Sequence, residues 1–170
     1  SIIKNSHNFP IEIIVVYNGL ECNLNIFDKF QVIHSDLCWV SKGYNSAANH
    51  AKGEYIAFFH DDCILDDKKW IKKSIDNLKK ETIAISSETF FYNYSASECT
   101  PVTIKKSNFT KYGAARFTPL VIKKADFKEI GKFDEFYHIG MEDEDFSTKI
   151  LFERKKKIKV IIKGAHFSGM

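Results

Sequence analysis

Short apolar runs and stretches with helical spacing alternate along this chain. The clearest runs are residues 11–17, rich in β-branched side chains, and residues 55–59, an uninterrupted run that predicts a strand buried on both faces. Small or apolar residues at helical spacing predict helices at 41–52 and 70–78. The other predicted elements are strands at 30–34, 82–86, 117–123 and 157–163 and helices at 126–130 and from 142 onward. This alternation predicts an α/β fold with a mostly parallel central sheet.

Residues 88–116 interrupt the alternation. Tyrosine, asparagine, serine, threonine and lysine dominate there, around Pro101, and no periodicity survives. Structureless connections of this length in compact domains are usually functional or mobile, so a long loop is predicted.

Composition narrows the class of protein. The 170 residues suffice for one domain with a core and are too few for two, so residues 1–170 are predicted as a single domain. The net charge of +3 forms no basic arm interleaved with aromatic residues, so no nucleic-acid partner is expected. Four cysteines lack the C-x-x-C spacing of zinc sites and redox dithiols.

The same composition bears on location. No apolar run approaches the ~20 residues of a membrane span, and no signal peptide is recognisable, so a cytoplasmic protein without a transmembrane segment is expected. A basic cluster at residues 154–157 is interpreted as a solvated helix end, with peripheral contact at the inner membrane face as the alternative.

Polar side chains follow the apolar run 55–59 directly. His60, Asp61 and Asp62 come next in the chain, and ligands of open α/β sheets bind outside the carboxyl ends of the strands. These three residues are therefore site candidates. The alternative is ordinary turn chemistry, because an aspartate after a strand bonds to nearby backbone or caps the next helix.

A second candidate cluster is acidic. Four consecutive carboxylates, residues 142–145, begin a predicted helix shortly after the segment Gly131-Lys132-Phe133-Asp134-Glu135. Acidic residues at a helix N-terminus complement its dipole, which is the alternative to a functional role. Four exceed what capping requires, so a functional role is favoured.

Taken in order, these segments resemble the motifs of family 2 glycosyltransferases with the GT-A fold. The resemblance rests on Tyr44-Asn45-x-Ala47-x-x-x-Ala51-x-Gly53-Glu54-Tyr55-Ile56, Phe59-His60-Asp61-Asp62, Gly131-x-Phe133-Asp134-Glu135, Glu142-Asp143-x-Asp145 and His166. It runs from about residue 11 to the end of the chain and implies a Rossmann-like, three-layer GT-A sandwich. It also implies an inverting, metal-dependent transfer of a sugar to an acceptor hydroxyl.

The resemblance assigns metal and catalytic roles. Asp62 is similar to the metal-binding carboxylate of the DxD motif, and His166 is similar to a C-terminal metal-binding histidine; either Mg²⁺ or Mn²⁺ suits hard oxygen ligands. Asp143 is similar to the general base, with Glu142 as a second candidate.

Donor binding is implied for five further residues. His60 stands where the motif usually has its first acid, and Asp61 occupies its variable middle position. The implied partners are a UDP- or GDP-linked sugar and a glycan or other hydroxyl acceptor. The residues implied to bind the donor are Asn18, Tyr44, Asn45, His60 and Asp61.

The start of the chain departs from the family. Family members begin with a strand and a crossover helix, and ten residues are too few for both, so the first strand is predicted to be absent and residues 1–8 to be a helix remnant. The domain is thus expected to be N-terminally truncated, and incomplete at both ends. The rival hypotheses are a non-catalytic GT-A-like binding module and a phosphohydrolase with Asp61 or Asp62 as nucleophile.

Overall fold

The structure is a computed structural model of the chain. The structure describes residues 1–6, 8–18, 29–35, 39–61, 63–65, 67–95, 98–103, 119–138 and 140–166, with backbone alone at 18, 35, 87–95, 98–103 and 163–166. No helix of the described part is long and apolar enough to cross a membrane.

The strands form two sheets. A two-stranded sheet pairs β1 (Ile14–Asn18) with β2 (Gln31–Ser35) in parallel. The larger sheet has the order β3-β7-β5-β8-β4, and β6 pairs with β5 beyond that path. Its strands are β3 (Tyr55–Phe58), β4 (Cys63–Leu65), β5 (Thr82–Ser95), β6 (Glu98–Thr103), β7 (Leu120–Lys123) and β8 (Lys157–His166).

Strand directions in the larger sheet are mixed. β5 and β8 run parallel, whereas β7 is antiparallel to both β3 and β5, and β4 is antiparallel to β8. A mostly parallel sheet was expected, and the larger sheet is instead mixed, with β5–β8 as the parallel pair among those described. A strand buried on both faces has the same apolar sequence in either direction, so hydrophobic pattern alone does not reveal direction.

Helices cover both faces of the larger sheet. They are α1 (Val40–His50), α2 (Trp70–Asn77), α3 (Lys124–Ile130) and α4 (Glu142–Thr148), which continues as a π-helix at Lys149–Glu153. Ala84 and Ile122 belong to a core cluster with residues of α1, α3 and α4, whereas their neighbours Ile85 and Val121 belong to a second cluster with Trp70 of α2. The predicted three-layer α/β architecture is confirmed.

A long loop was predicted at residues 88–116, but part of this segment forms strands. β5 continues through Ser95, and β6 returns along it with Pro101 opposite Tyr92. A proline lacks the N–H that a central strand must donate, and β6 pairs only with β5 among the described strands, so this edge position accommodates Pro101. Residues 104–118 lie outside the described part.

The N-terminal residues are ordered against the larger sheet. Residues Ile3–Asn5 form a 3₁₀ helix, Asn5 Nδ2 donates to Leu65 O at 2.6 Å, and Trp70 Nε1 donates to Ser6 Oγ at 3.1 Å. These bonds tie the segment to β4 and α2, so the helix remnant expected there is a single short turn. None of the residues described before β1, which omit residue 7, lies in a strand.

Candidate active site

The carboxyl end of β3 is fixed by a tyrosine of α1. The Tyr44 hydroxyl donates to Phe59 O at 3.1 Å and lies 3.4 Å from His60 Nδ1, and its ring meets Phe58 edge-on at 5.3 Å between centroids. His60 is partly buried, and Asp61 is exposed. His60 is therefore held in place just beyond the end of the strand, and Asp61, which follows it, is exposed to solvent.

The next residue of α1 holds the segment that precedes α4. Asn45 Nδ2 donates to Phe133 O at 2.9 Å and to Glu135 Oε1 at 3.0 Å, and Phe133 N donates to Asn45 Oδ1 at 3.1 Å. Asn45 is only 5% exposed. Two adjacent residues of one helix, Tyr44 and Asn45, thus join the end of β3 to the segment leading to the acidic helix.

A left-handed turn leads into α4. Gly140 has φ 77° and Met141 has φ 72°. Glycine adopts this conformation easily, whereas at methionine it is strained, and strain of this kind is concentrated at functional sites. The buried Phe146 anchors the helix against Phe133, with ring centroids 4.7 Å apart. The turn and this contact together fix the direction of the helix start.

The first two acids of α4 are buried. Glu142 is 5% exposed and Asp143 is 9% exposed. Asp143 Oδ1 accepts a hydrogen bond from Glu144 N at 3.0 Å, and Ser147 Oγ donates to Asp143 O at 2.6 Å. Oε2 of Glu142 has no hydrogen-bond partner within the described part of the chain. Buried polar atoms are normally paired, so this oxygen is an exception within the described structure.

The other acids of the helix have different surroundings. Asp145 Oδ2 lies 2.7 Å from Lys149 Nζ, one helical turn later, and both side chains are about a fifth exposed. An ion pair at this spacing stabilises the helix. Three of the four carboxylates thus have distinct places: Asp145 supports the helix, and Glu142 and Asp143 occupy its buried start.

One predicted metal ligand, His166, belongs to the β4–β8 strand pair. Cys63, which directly follows Asp62 in the chain, is the register partner of His166 in the β4–β8 ladder. The side chains of Asp62, His166 and Asn18 lie outside the described set, so their contacts remain predictions. No three metal-binding side chains come together among the described ones.

Two features were not found by sequence reasoning. Glu135 belongs to a recognised motif, yet its contact with Asn45 depends on a pairing that no local pattern indicates. The rings of Trp39 and His138 stack at 4.1 Å with an interplanar angle of 16°. An aromatic residue ahead of a predicted helix gives no sign of such a distant partner.

Solved structures resemble this fold throughout. GalNAc-T7 with UDP, GalNAc and Mn²⁺ has a TM-score of 0.72 at 15% identity, covering 94% of this chain and 38% of that one. The mannosyltransferase PcManGT from Pyrobaculum calidifontis with GDP-Man and Mn²⁺ has a TM-score of 0.66 at 13% identity; the match covers 92% of this chain and 47% of that one. S. aureus TarS 1-349 has a TM-score of 0.66 at 18% identity, and the match covers 97% of this chain and 54% of that one. The chain therefore spans about half or less of these proteins.

The layered architecture and these likenesses define a GT-A glycosyltransferase fold. The chain belongs to Glycosyl transferase family 2, whose sequence profile matches residues 1–147. A comparison with curated protein sequences finds no significant match. The resemblance identified in the sequence is thus confirmed at the level of family and fold.

Proposed function

We propose that this chain forms the donor-binding and catalytic part of an inverting, metal-dependent glycosyltransferase. The observation that carries the proposal is the link through Tyr44 and Asn45, which joins the end of β3 to the segment leading to α4. His60 and Asp61 at one end of this link supply donor contacts, and Glu142 and Asp143 beyond the other supply proton transfer. Family membership and the UDP and GDP-Man named for the two neighbours support the same chemistry.

A divalent cation fits the residues at the β4–β8 ladder. Cys63 and His166 are register partners, so the ladder brings the chain position after Asp62 beside the predicted histidine ligand. A carboxylate oxygen and an imidazole nitrogen suit Mn²⁺, and the carboxylate also suits Mg²⁺. Asp62 and His166 would hold the cation, which when bound offsets the negative charge that develops on the departing diphosphate.

Donor contacts come from residues around the end of β3. Asn18, the last residue of β1, binds the nucleotide, and His60 and Asp61 face the diphosphate. Tyr44 and Asn45, implied by the resemblance as donor contacts, keep that proposed role. Their described hydrogen bonds add a second role, since they fix the positions of His60 and of the segment before α4.

Proton transfer is the task of the acidic helix start. Asp143 or Glu142 takes the proton of the acceptor hydroxyl as that oxygen bonds to the anomeric carbon. The bond from the anomeric carbon to the diphosphate oxygen breaks on the opposite face, so the configuration inverts and the nucleoside diphosphate leaves with the bonding electron pair. Oε2 of Glu142 is buried and has no hydrogen-bond partner among the described residues, so both acids remain candidates.

A thermal-shift titration tests the donor site. Wild type and Asp62→Ala are each heated with UDP, GDP or CDP, with and without Mn²⁺. A nucleotide at roughly 100 times its dissociation constant stabilises the fold by about 2.7 kcal/mol, which is easily measured in a domain of this size. The control is Asp76→Ala on the exposed face of α2, where the aspartate pairs only with Lys72 in the described structure.

We expect one nucleotide to give a metal-dependent thermal shift. Asp76→Ala should retain this shift and Asp62→Ala should lose it. No shift with any nucleotide, or equal shifts in both variants, would contradict the proposal. The absence of any shift would favour a non-catalytic GT-A-like module that binds a glycan or a protein, and equal shifts would favour such a module that binds nucleotide without the metal site.

A further inference from the structure

A cleft lies at the end of the larger sheet opposite the candidate active site. Its walls include Thr82, at the start of β5, and Lys123, at the end of β7. Lys123 is the register partner of Tyr55, the first residue of β3, whereas the candidate active site follows Phe58, the last residue of that strand. The cleft has a volume of about 600 Å³, which is typical of small-molecule sites. It is therefore a cavity separate from the candidate active site.

Positive side chains are in excess around this cleft. Arg154 and Lys156, from the basic cluster at 154–157, lie there with three further lysines, and five cations against three carboxylates leave an excess of two positive charges. The cations are Lys79, Lys80, Lys123, Arg154 and Lys156, and the carboxylates are Asp126, Glu129 and Glu153. A phosphate monoester carries a charge of about −1.5 to −2 at pH 7, which balances this excess. We refer to the cavity as the basic cleft.

Few ion pairs compensate the cations of the basic cleft. Lys156 Nζ lies 3.4 Å from a carboxylate oxygen of Glu81, whose side chain is 62% exposed. The ion pair of Lys123 is longer, at 4.0 Å, and its glutamate partner is 69% exposed. Lys79 and Lys80 make no ion pair within the part of the chain that the structure describes. Because exposed ion pairs are weak, an anion in the cleft competes with them at little cost.

The basic cleft also offers oriented donors and an apolar wall. Arg154 Nη2 donates to Glu129 O in the last turn of α3, which fixes the guanidinium while its other N–H groups can bind an anion. Thr82 adds a hydroxyl. The buried side chains of Leu78, Ile83 and Ile130 form the apolar part of the lining. This combination suits a phosphate group attached to a less polar body.

We propose that the basic cleft binds a phosphate monoester, carried by a soluble molecule or by a lipid headgroup. The alternative is that its cations only complement the negative ends of α2 and α3, which end at Asn77 and Ile130. That role involves no ligand and predicts no saturable binding. The proposal is independent of the proposed function, because the donor-binding and catalytic residues lie at the other end of β3.

Two-dimensional ¹H–¹⁵N NMR of the full chain tests the inference. Sodium phosphate is added at constant pH and at an ionic strength held constant with sodium chloride, in the presence of EDTA to keep divalent cations from the donor site. Wild type is compared with Lys80→Gln and Arg154→Gln. The control is Lys72→Gln, which removes the same charge from an exposed lysine of α2 outside the cleft. Lys80 is exposed, so Lys80→Gln keeps the fold even if the loss of the Arg154 hydrogen bond loosens α3.

We expect saturable shifts at the amides of residues 79–83 and 153–156. The apparent dissociation constant should rise roughly fivefold in Lys80→Gln and Arg154→Gln, because each loses a charge-assisted hydrogen bond to the phosphate. Lys72→Gln should stay within about twofold of wild type. The absence of saturable shifts at these amides, or equal weakening in Lys80→Gln and Lys72→Gln, would overturn the inference and leave the cations as partners of the helix ends.

Flotation with phosphatidylcholine vesicles, with and without phosphatidic acid, identifies the source of the phosphate. Once the NMR shifts are established, flotation that requires phosphatidic acid and is reduced in Lys80→Gln assigns the cleft to a lipid headgroup. Protein that stays in solution assigns it to a soluble phosphorylated molecule, so either result supports the basic cleft. The nucleotide thermal shift is recorded on the same proteins: if wild type shows none while the phosphate shifts persist, the donor site fails and the cleft stands.

Discussion

Asn45 connects α1 to the segment before α4, and its replacement tests how strongly that link stabilises the fold. Asn45→Ala removes the two hydrogen bonds that Asn45 makes with the N–H and the C=O of the buried residue Phe133. Each hydrogen bond contributes roughly 0.5–1.5 kcal/mol net, so the free energy of unfolding is expected to fall by about 1–3 kcal/mol. Urea denaturation followed by circular dichroism measures the change.

The matched control lies one turn later on the same helix. Asn49 is exposed, and its Oδ1 accepts from Lys132 Nζ at 2.9 Å. Asn49→Ala brings the same change in helix propensity with no buried group unpaired, so we expect it to change stability by less than about 0.5 kcal/mol. Equal losses in the two variants would mean that Asn45 is not the link we describe.

The two buried acids of α4 differ in their partners, and isosteric amides separate their roles. If one of them is the general base, its replacement in Asp143→Asn or Glu142→Gln lowers kcat by about 10²–10⁴-fold, while the nucleotide thermal shift is retained. Glu144→Gln, in the same helical turn, is expected to keep near wild-type turnover. The assay follows nucleoside diphosphate release from the sugar donor of the nucleotide identified by thermal shift. Undiminished turnover in both Asp143→Asn and Glu142→Gln would mean that neither residue is the general base.

At the scale of single elements, Gly131 ends α3 in a left-handed conformation with φ 107° and ψ 10°. A Cβ added there meets no atom within 4 Å, so the cost of Gly131→Ala is conformational and amounts to about 1–2 kcal/mol of stability. Asparagine tolerates this conformation better, so Gly131→Asn is expected to lose less. Chemical denaturation of the two variants gives the comparison, and an alanine variant as stable as wild type would contradict the strain argument.

Elements with strong local signals were predicted, and those defined by their partners were not. The helical spacing of Trp70, Ser74 and Leu78 predicted α2, and the helix predicted at 126–130 corresponds to α3. The short strand β4 was missed because three residues are too few to show an alternating pattern. The pairing of β5 with β6 was missed because the polar composition of residues 88–103 predicted a loop. Their strand character comes from hydrogen bonds to distant residues.

The same distinction applies to the candidate site. His60 and Asp61 follow an apolar run, so their place at the end of β3 could be predicted from pattern alone. The link through Asn45 and the stack of Trp39 on His138 join residues far apart in the chain. Contacts of this kind depend on how the helices pack on the sheet, and the local pattern of a single sequence does not reveal that packing.

At the scale of the whole molecule, the two sheets differ in how well they are supported. β1 pairs only with β2 among the described strands, and none of residues 14–17 is fully buried. By contrast, Ala84 and Ile85 of β5 and Ile122 of β7 have no exposed surface. Two strands alone are marginally stable in water, so the β1–β2 sheet is the part of the fold that should open most easily.

Hydrogen exchange measures this difference directly. We expect amides of β1 and β2 to exchange much faster than those in the first half of β5 and in β7. The reason is that local opening of the β1–β2 sheet exposes little apolar surface. Uniform protection across both sheets would contradict this. If Asn18 contacts the donor, the stabilising nucleotide with Mn²⁺ slows exchange in β1 more than in β7. Equal slowing in both sheets would instead indicate that the nucleotide acts only through global stability, and Asn18 would then leave the set of donor contacts.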